Sequence, residues 1–131
     1  MSRHQRVLVV DGSKYFDTSI WRMLIPESEF EIVGLVGSSA ETVKMVRTFS
    51  PDIVLIDLSH PEKFGLQTVS VLHTVHPHAI IITFMPISSQ EYTQASLDAG
   101  ATACLPKSEM AEQLLPTLRT LGTIHSPLKP N

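Results

Sequence analysis

Four polar side chains stand where apolar runs stop. Asp11 follows Val7–Val10, Asp57 follows Ile53–Ile56, Thr83 closes Ile80–Thr83, and Lys107 follows Ala103–Leu105 by way of Pro106. The first of these sits in Asp11-Gly12-Ser13-Lys14, which leaves three readings open. It is a loop that cradles phosphate, a plain strand-to-helix turn, or half of a metal-binding acid pair. A phosphate loop needs a glycine five residues before Gly12, where Val7 stands, and no GxGxxG follows the run either. Taken singly, a strand-end Asp caps a turn and a lone Lys is solvated. Two carboxylates, a hydroxyl and an ammonium at one pole of a sheet outweigh those readings.

The elements that position them read as β-α repeated five times. Val7–Val10, Ile53–Ile56 and Ile80–Thr83 are continuous and rich in β-branched residues, as strands are when both faces of a parallel sheet are covered. Glu31–Val36 and Ala103–Leu105 complete five strands. Ser13 is placed to cap a helix with Phe16, Ile20, Met23 and Leu24 on one face, and Trp21 and Phe16 are both expected to pack this helix. Ser39 is placed to cap Ala40–Phe49, with Val43 and Val46 inward. Phe64–Val75 carries Leu66, Val69, Leu72 and Val75 at helical spacing. Ser88 and Glu91 fit a capping box, and Gly100 fits a helix C-cap. Ser108 is expected to cap the last helix, which Pro116 should kink or shorten. The alternation predicts an α/β fold with a five-stranded parallel, doubly wound sheet, and sites outside the carboxyl ends of its strands.

Bulk properties narrow the function. The 131 residues suit one domain: residues 1–122, with 123–131 as a flexible tail. A net charge of −3 and no Lys/Arg cluster argue against a nucleic-acid surface. No apolar run reaches membrane length, and Met1–Arg6 does not lead into a signal-peptide core. A single cysteine suits a reducing compartment, so a cytoplasmic location is expected.

"VLVVDGS", "PDIVLIDLSHP", "IIITF" and "DAGATACLPKSEM" together resemble the receiver domain of bacterial response regulators, the CheY-like family with its flavodoxin-like (βα)5 fold. The likeness runs from about Arg6 to about Leu121. It implies that Asp57 accepts a phosphoryl group from a histidine kinase or a histidine phosphotransfer protein, with Thr83 and Lys107 binding its oxygens. It implies Mg²⁺ held by Asp11, Asp57 and the Ser59 backbone carbonyl. It further implies a phosphoacceptor rather than an enzyme, a downstream protein target, and a homodimer through the last helices or the first and last. The tail carries no output domain, which fits a single-domain regulator or a piece of a longer one.

Several residues depart from the family pattern. Gly12 replaces the second acid after strand one, which weakens the expected Mg²⁺ site, and Glu62 is a candidate to reach in. Cys104 replaces the aromatic switch residue, at a position expected to be buried. Phe84 follows Thr83 and is expected to narrow access to Asp57. His60 and Phe64 also differ, and Pro106 precedes Lys107 rather than following it. The alternative to a phosphorylated switch is therefore a pseudo-receiver, a binding module that works without phosphate. A nucleotide- or flavin-binding enzyme is the weakest of the three readings. His73, His76 and His78 cluster at a helix end without an acid or thiol, and read as a solvated terminus. Tyr92 is a candidate for a binding face.

Overall fold

The computed structural model describes residues 4–10, 14–37, 39–59 and 65–125. The apolar runs form β1 (Gln5–Val10), β2 (Phe30–Val36), β3 (Ile53–Asp57), β4 (Ile80–Met85) and β5 (Ala103–Pro106). All pairings are parallel, in the order β2-β1-β3-β4-β5. Between them run α1 (Lys14–Leu24), α2 (Ser39–Phe49), α3 (Gly65–Val75) and α4 (Gln90–Ala99). A single 3-10 turn, Lys107–Glu109, leads into α5 (Met110–His125). This is the five-stranded doubly wound sheet that the sequence predicts.

Every residue of β3 and β4 is buried, because helices cover both faces of the sheet. Side chains alternate between two apolar layers. Ile53, Leu55, Ile80, Ile82 and Phe84 meet Phe16, Ile20 and Leu24 of α1 and Leu114 and Leu118 of α5. Val54, Ile56 and Ile81 meet Val46 of α2 and Val69 and Leu72 of α3, with Tyr92 of α4 half-buried against them. The alternation decides which helices each strand-end residue faces.

Local differences from the sequence reading have identifiable causes. β4 continues past Thr83 to Met85, since Phe84 and Met85 are as apolar as the run before them. Ser89, not Ser88, caps α4: its hydroxyl accepts from the Tyr92 N–H at 3.3 Å. Glu91 therefore falls one residue short of the reciprocal position. Ser39 is the first residue of α2, and Ser108 lies inside the 3-10 turn. α5 passes through the exposed Pro116 and ends at His125, beyond the expected boundary at 122. Trp21 is 47% exposed and Val75 40% exposed, so both point outward. Ser13 and Phe64 lie outside the described residues.

Gly100 closes α4 with φ 118°, donating its N–H to Leu97 and leaving no room for a side chain. A Cβ there would stand 2.6 Å from Cγ of His73 on α3. His76 Nε2 lies 2.9 Å from the Pro51 carbonyl, and His73 and His78 are exposed. The three form no metal site: no group of three His, Cys, Asp or Glu is arranged to hold a metal among the described residues. Nor is any described helix long and apolar enough to cross a membrane.

Arg119 joins α5 to the α1–β2 connection. Its guanidinium donates to Glu29 at 3.0 Å through two nitrogens and to Glu27 at 2.7 Å. The hydrogen bond from Arg119 holds the Glu29 carboxyl below its usual 4.5. A carboxyl depressed in the folded state stabilises above its unfolded pKa and loses that contribution as pH falls through the folded value. Arg119→Ala is therefore expected to lower thermal stability slightly at neutral pH, as exposed pairs do. Thermal melts across pH should show the difference from wild type closing below 4.5.

Candidate functional site

Asp57 is the last residue of β3, and it is the only acid in a strand whose other residues are apolar. Its side chain is fully buried. An isolated carboxylate in such a place is costly unless it is paired and hydrogen-bonded. Both conditions are met. Oδ1 accepts the Ser59 N–H at 2.9 Å, and Oδ2 accepts from Lys107 Nζ at 3.1 Å. The same ammonium donates to Ser59 Oγ at 3.1 Å. Lys107 reaches there because β5 ends at Pro106, whose extended backbone delivers the side chain across the strand ends. One face of Lys107 also lies over the Phe16 ring, 5.4 Å from its centroid, a cation–π geometry. Phe84, level with Asp57 in the sheet, packs edge-on against Phe16 at 5.1 Å. Phe84 is fully buried and supports the Phe16 ring from beneath.

The structure brings Asp57, Ser59 and Lys107 together, through the N–H and hydroxyl of Ser59, and does not bring Thr83 to them. In the β3–β4 pairing Asp57 is level with Phe84, and Thr83 is level with Ile56. The alternation turns Asp57 towards α1 and α5, and Thr83 towards α4. There the fully buried Thr83 hydroxyl donates to Ser96 Oγ at 2.9 Å, and Ser96 in turn donates to Cys104 Sγ at 3.6 Å. The residue at the carboxyl end of β4 is Met85, whose sulfur accepts from the Thr93 hydroxyl at 3.7 Å. The spacing carried the missing signal. Counting five residues from Ile80, as from Ile53 to Asp57, puts Phe84 and not Thr83 level with the acid. Cys104 is half-buried, the third member of this polar chain rather than a small apolar core residue.

Asp11, Gly12, His60 and Glu62 lie outside the described residues. Val10, which precedes Asp11, is paired with Ile56, which precedes Asp57. One acid went unnoticed in the sequence. Asp17, in the first turn of α1, reads as an ordinary complement to the helix dipole. Its Oδ1 is nevertheless buried and has no hydrogen-bond partner. Burial lifts its carboxyl above the ordinary 3.8, and the charge of Asp57 adds to the rise.

A buried acid and a lysine at the carboxyl edge of a doubly wound sheet point to one kind of domain, and sequence comparison decides it. The profile of the family described as "Response regulator receiver domain" matches residues 7–119. The chain belongs to this family. Among curated relatives, this receiver is 31% identical over 103 residues to a protein-glutamate methylesterase/protein-glutamine glutaminase of Lawsonia intracellularis. That alignment covers 78% of the receiver and 29% of the relative. It is 30% identical to response regulator GacA of Pseudomonas viridiflava, covering 87% of the receiver and 53% of GacA. The chain thus spans about half or less of the length of these relatives. The response regulator domain of Thermotoga maritima CheB shares the fold with a TM-score of 0.81 at 21% identity, covering 98% of this chain and all of that one. A LuxR-family response regulator from Aurantimonas does so with a TM-score of 0.84 at 20% identity, covering 98% and 91%.

The position of Thr83 has a measurable consequence. Thr83→Val removes the hydroxyl from a buried pair and is expected to lower stability by about 1–2 kcal/mol in denaturant titrations. The loss should be larger than for Thr93→Val, whose hydroxyl is only part-buried.

Proposed function

We propose that this receiver takes a phosphoryl group onto Asp57 from a histidine kinase or a histidine phosphotransfer protein, and thereby changes its affinity for a downstream protein. The observation that carries the reading is the Asp57 carboxylate, fully buried and held between the Ser59 N–H and the Lys107 ammonium. A carboxylate fixed by two donors has its oxygens set in direction, as a nucleophile requires. One carboxylate oxygen attacks phosphorus, the phosphorus–nitrogen bond of the donor imidazole breaks, and the imidazole leaves with a proton. The product is an acyl phosphate. Lys107 then has more negative charge within reach than it had on Asp57 alone, and its ammonium follows the phosphoryl oxygens as a mobile point charge. Asp57 has no exposed side-chain surface at rest, so the donor must displace the existing contacts to reach it.

The donor set suits Mg²⁺, a hard cation that binds oxygen and keeps several waters. Asp57, Asp11 and the Ser59 carbonyl are the groups proposed to hold it, and the unpartnered Oδ1 of Asp17 is an oxygen left over for a cation. When bound, Mg²⁺ neutralises charge on the incoming phosphoryl group. The resting pair of Asp57 with Lys107 would have to loosen for either partner to enter.

A second reading rests on a separate observation. Thr83 and Cys104 are joined through Ser96 inside the sheet–α4 packing, and Met85 stands at the end of β4. No hydroxyl on β4 faces Asp57, so the usual relay from phosphoryl group to α4 lacks its first member. On this reading the domain is a pseudo-receiver whose α4–β5 face binds a partner without phosphate.

Incubation with acetyl phosphate and Mg²⁺, followed by intact-mass and peptide mass spectrometry, separates the two. The phosphoacceptor reading expects a single adduct on Asp57, absent from Asp57→Asn and reduced about tenfold or more in Lys107→Ala. Wild-type protein that gains no adduct, and shows no NMR shift with beryllofluoride and Mg²⁺, would leave the pseudo-receiver.

A further inference from the structure

We propose that Asp17, on the first turn of α1, is a magnesium ligand of the Asp57 pocket and supplies the carboxylate that the strand-one turn lacks at Gly12. The inference deepens the receiver reading, since the pocket is the same one.

Among the described residues the pocket holds more carboxylate than ammonium. Asp57 and Asp17 are two carboxylates, and the single ammonium described there, Lys107, is engaged by Asp57 and by Ser59 Oγ. Asp17 is close enough for the Asp57 charge to act on it. Its neighbour Phe16 lies under the Lys107 ammonium, which fixes the first turn of α1 beside the site. The more telling feature is Oδ1 of Asp17. Among the described residues it is the one buried side-chain oxygen or nitrogen without a hydrogen-bond partner. Elsewhere the buried polar side chains Thr83, Ser96 and Asp57 are all satisfied. Native interiors rarely leave such an atom orphaned, and a missing ion is one of the standard reasons.

Helix-dipole stabilisation does not account for it. An acid in a first turn gains from the dipole with its oxygens in water, and nothing in that interaction favours burying one without a donor. A divalent cation gives Oδ1 a partner and offsets the charge of two neighbouring carboxylates. Mg²⁺ needs few protein ligands, so Asp17, Asp57 and one backbone carbonyl suffice beside waters. The second acid of the family pattern is then replaced by a carboxylate from the helix that follows, five positions beyond Gly12 in the sequence.

The test is Mg²⁺ binding to the full chain, measured by calorimetry and by the fluorescence of Trp21, the chain's single tryptophan and one turn from Asp17 on α1. Asp17→Asn keeps the shape of the side chain and removes its charge. It is expected to weaken Mg²⁺ binding about tenfold or more, and Asp17→Glu to recover part of the loss. The double variant Gly12→Asp with Asp17→Asn moves the carboxylate to the strand end and should restore binding. Mn²⁺ as a paramagnetic stand-in should broaden the backbone amides of the first turn of α1 in wild type and not in Asp17→Asn. Unchanged Mg²⁺ affinity in Asp17→Asn, or no Mg²⁺ binding by wild type at millimolar concentration, overturns the inference. Failure of Asp57 to take phosphate while Asp17 governs Mg²⁺ binding would overturn the phosphoacceptor reading alone.

Discussion

Burial of the Asp57 carboxylate sets the terms for everything around it. A charge with no exposed surface at the end of an apolar strand has to be met by donors fixed in place, because mobile ones would leave it unpaired part of the time. The Ser59 N–H comes from the chain itself, two residues on. The ammonium has to come from a different strand, and only a parallel sheet with β5 two places from β3 brings Lys107 across. β4 runs between them and is buried on both faces. The phenyl ring of Phe16 and its edge contact with Phe84 are part of the same requirement. They seat the lysine head beside the carboxylate.

Much of this was legible in the sequence because the apolar runs are long relative to the strands they form. β3 could hardly be anything else, with four aliphatic residues followed by an acid. Gly100 announced the end of α4 through a backbone conformation that glycine adopts easily. Lys107 and Asp57 could be placed at one pole by topology alone. Thr83 could not, and the reason is physical. A threonine among isoleucines reads as the polar end of a strand, yet β-branched threonine sits comfortably inside one when its hydroxyl has a partner. The partner, Ser96, is 13 residues away on another element, and its role depends on helix packing that a local pattern does not contain. Trp21 was misplaced for a related reason. It shares a turn with inward-facing Ile20, and one step round the helix takes it into solvent.

Polar groups are treated very differently in the two layers of the sheet. On the α4 side, Thr83, Ser96 and Cys104 form a closed chain in which each oxygen or sulfur accepts or donates within the group. Such a chain favours one packing of α4 on the sheet, because shifting the helix breaks buried bonds with no water to replace them. On the α1 side, among the described residues, Asp17 keeps a buried oxygen without a partner. The two layers therefore differ in how far their polar groups are satisfied by the protein itself.

The aromatic seat under Lys107 has one more effect. An ammonium that loses its carboxylate partner in an apolar setting normally swings out to water, and must find its way back. Here the ring face of Phe16 is within cation–π range of the same nitrogen. The lysine head therefore has a resting berth that does not depend on the charge state of Asp57, worth about 0.5–1 kcal/mol where solvent reaches it. If another group took the carboxylate and later left it, the ring would hold the cation close by, so the pocket would reset without a search.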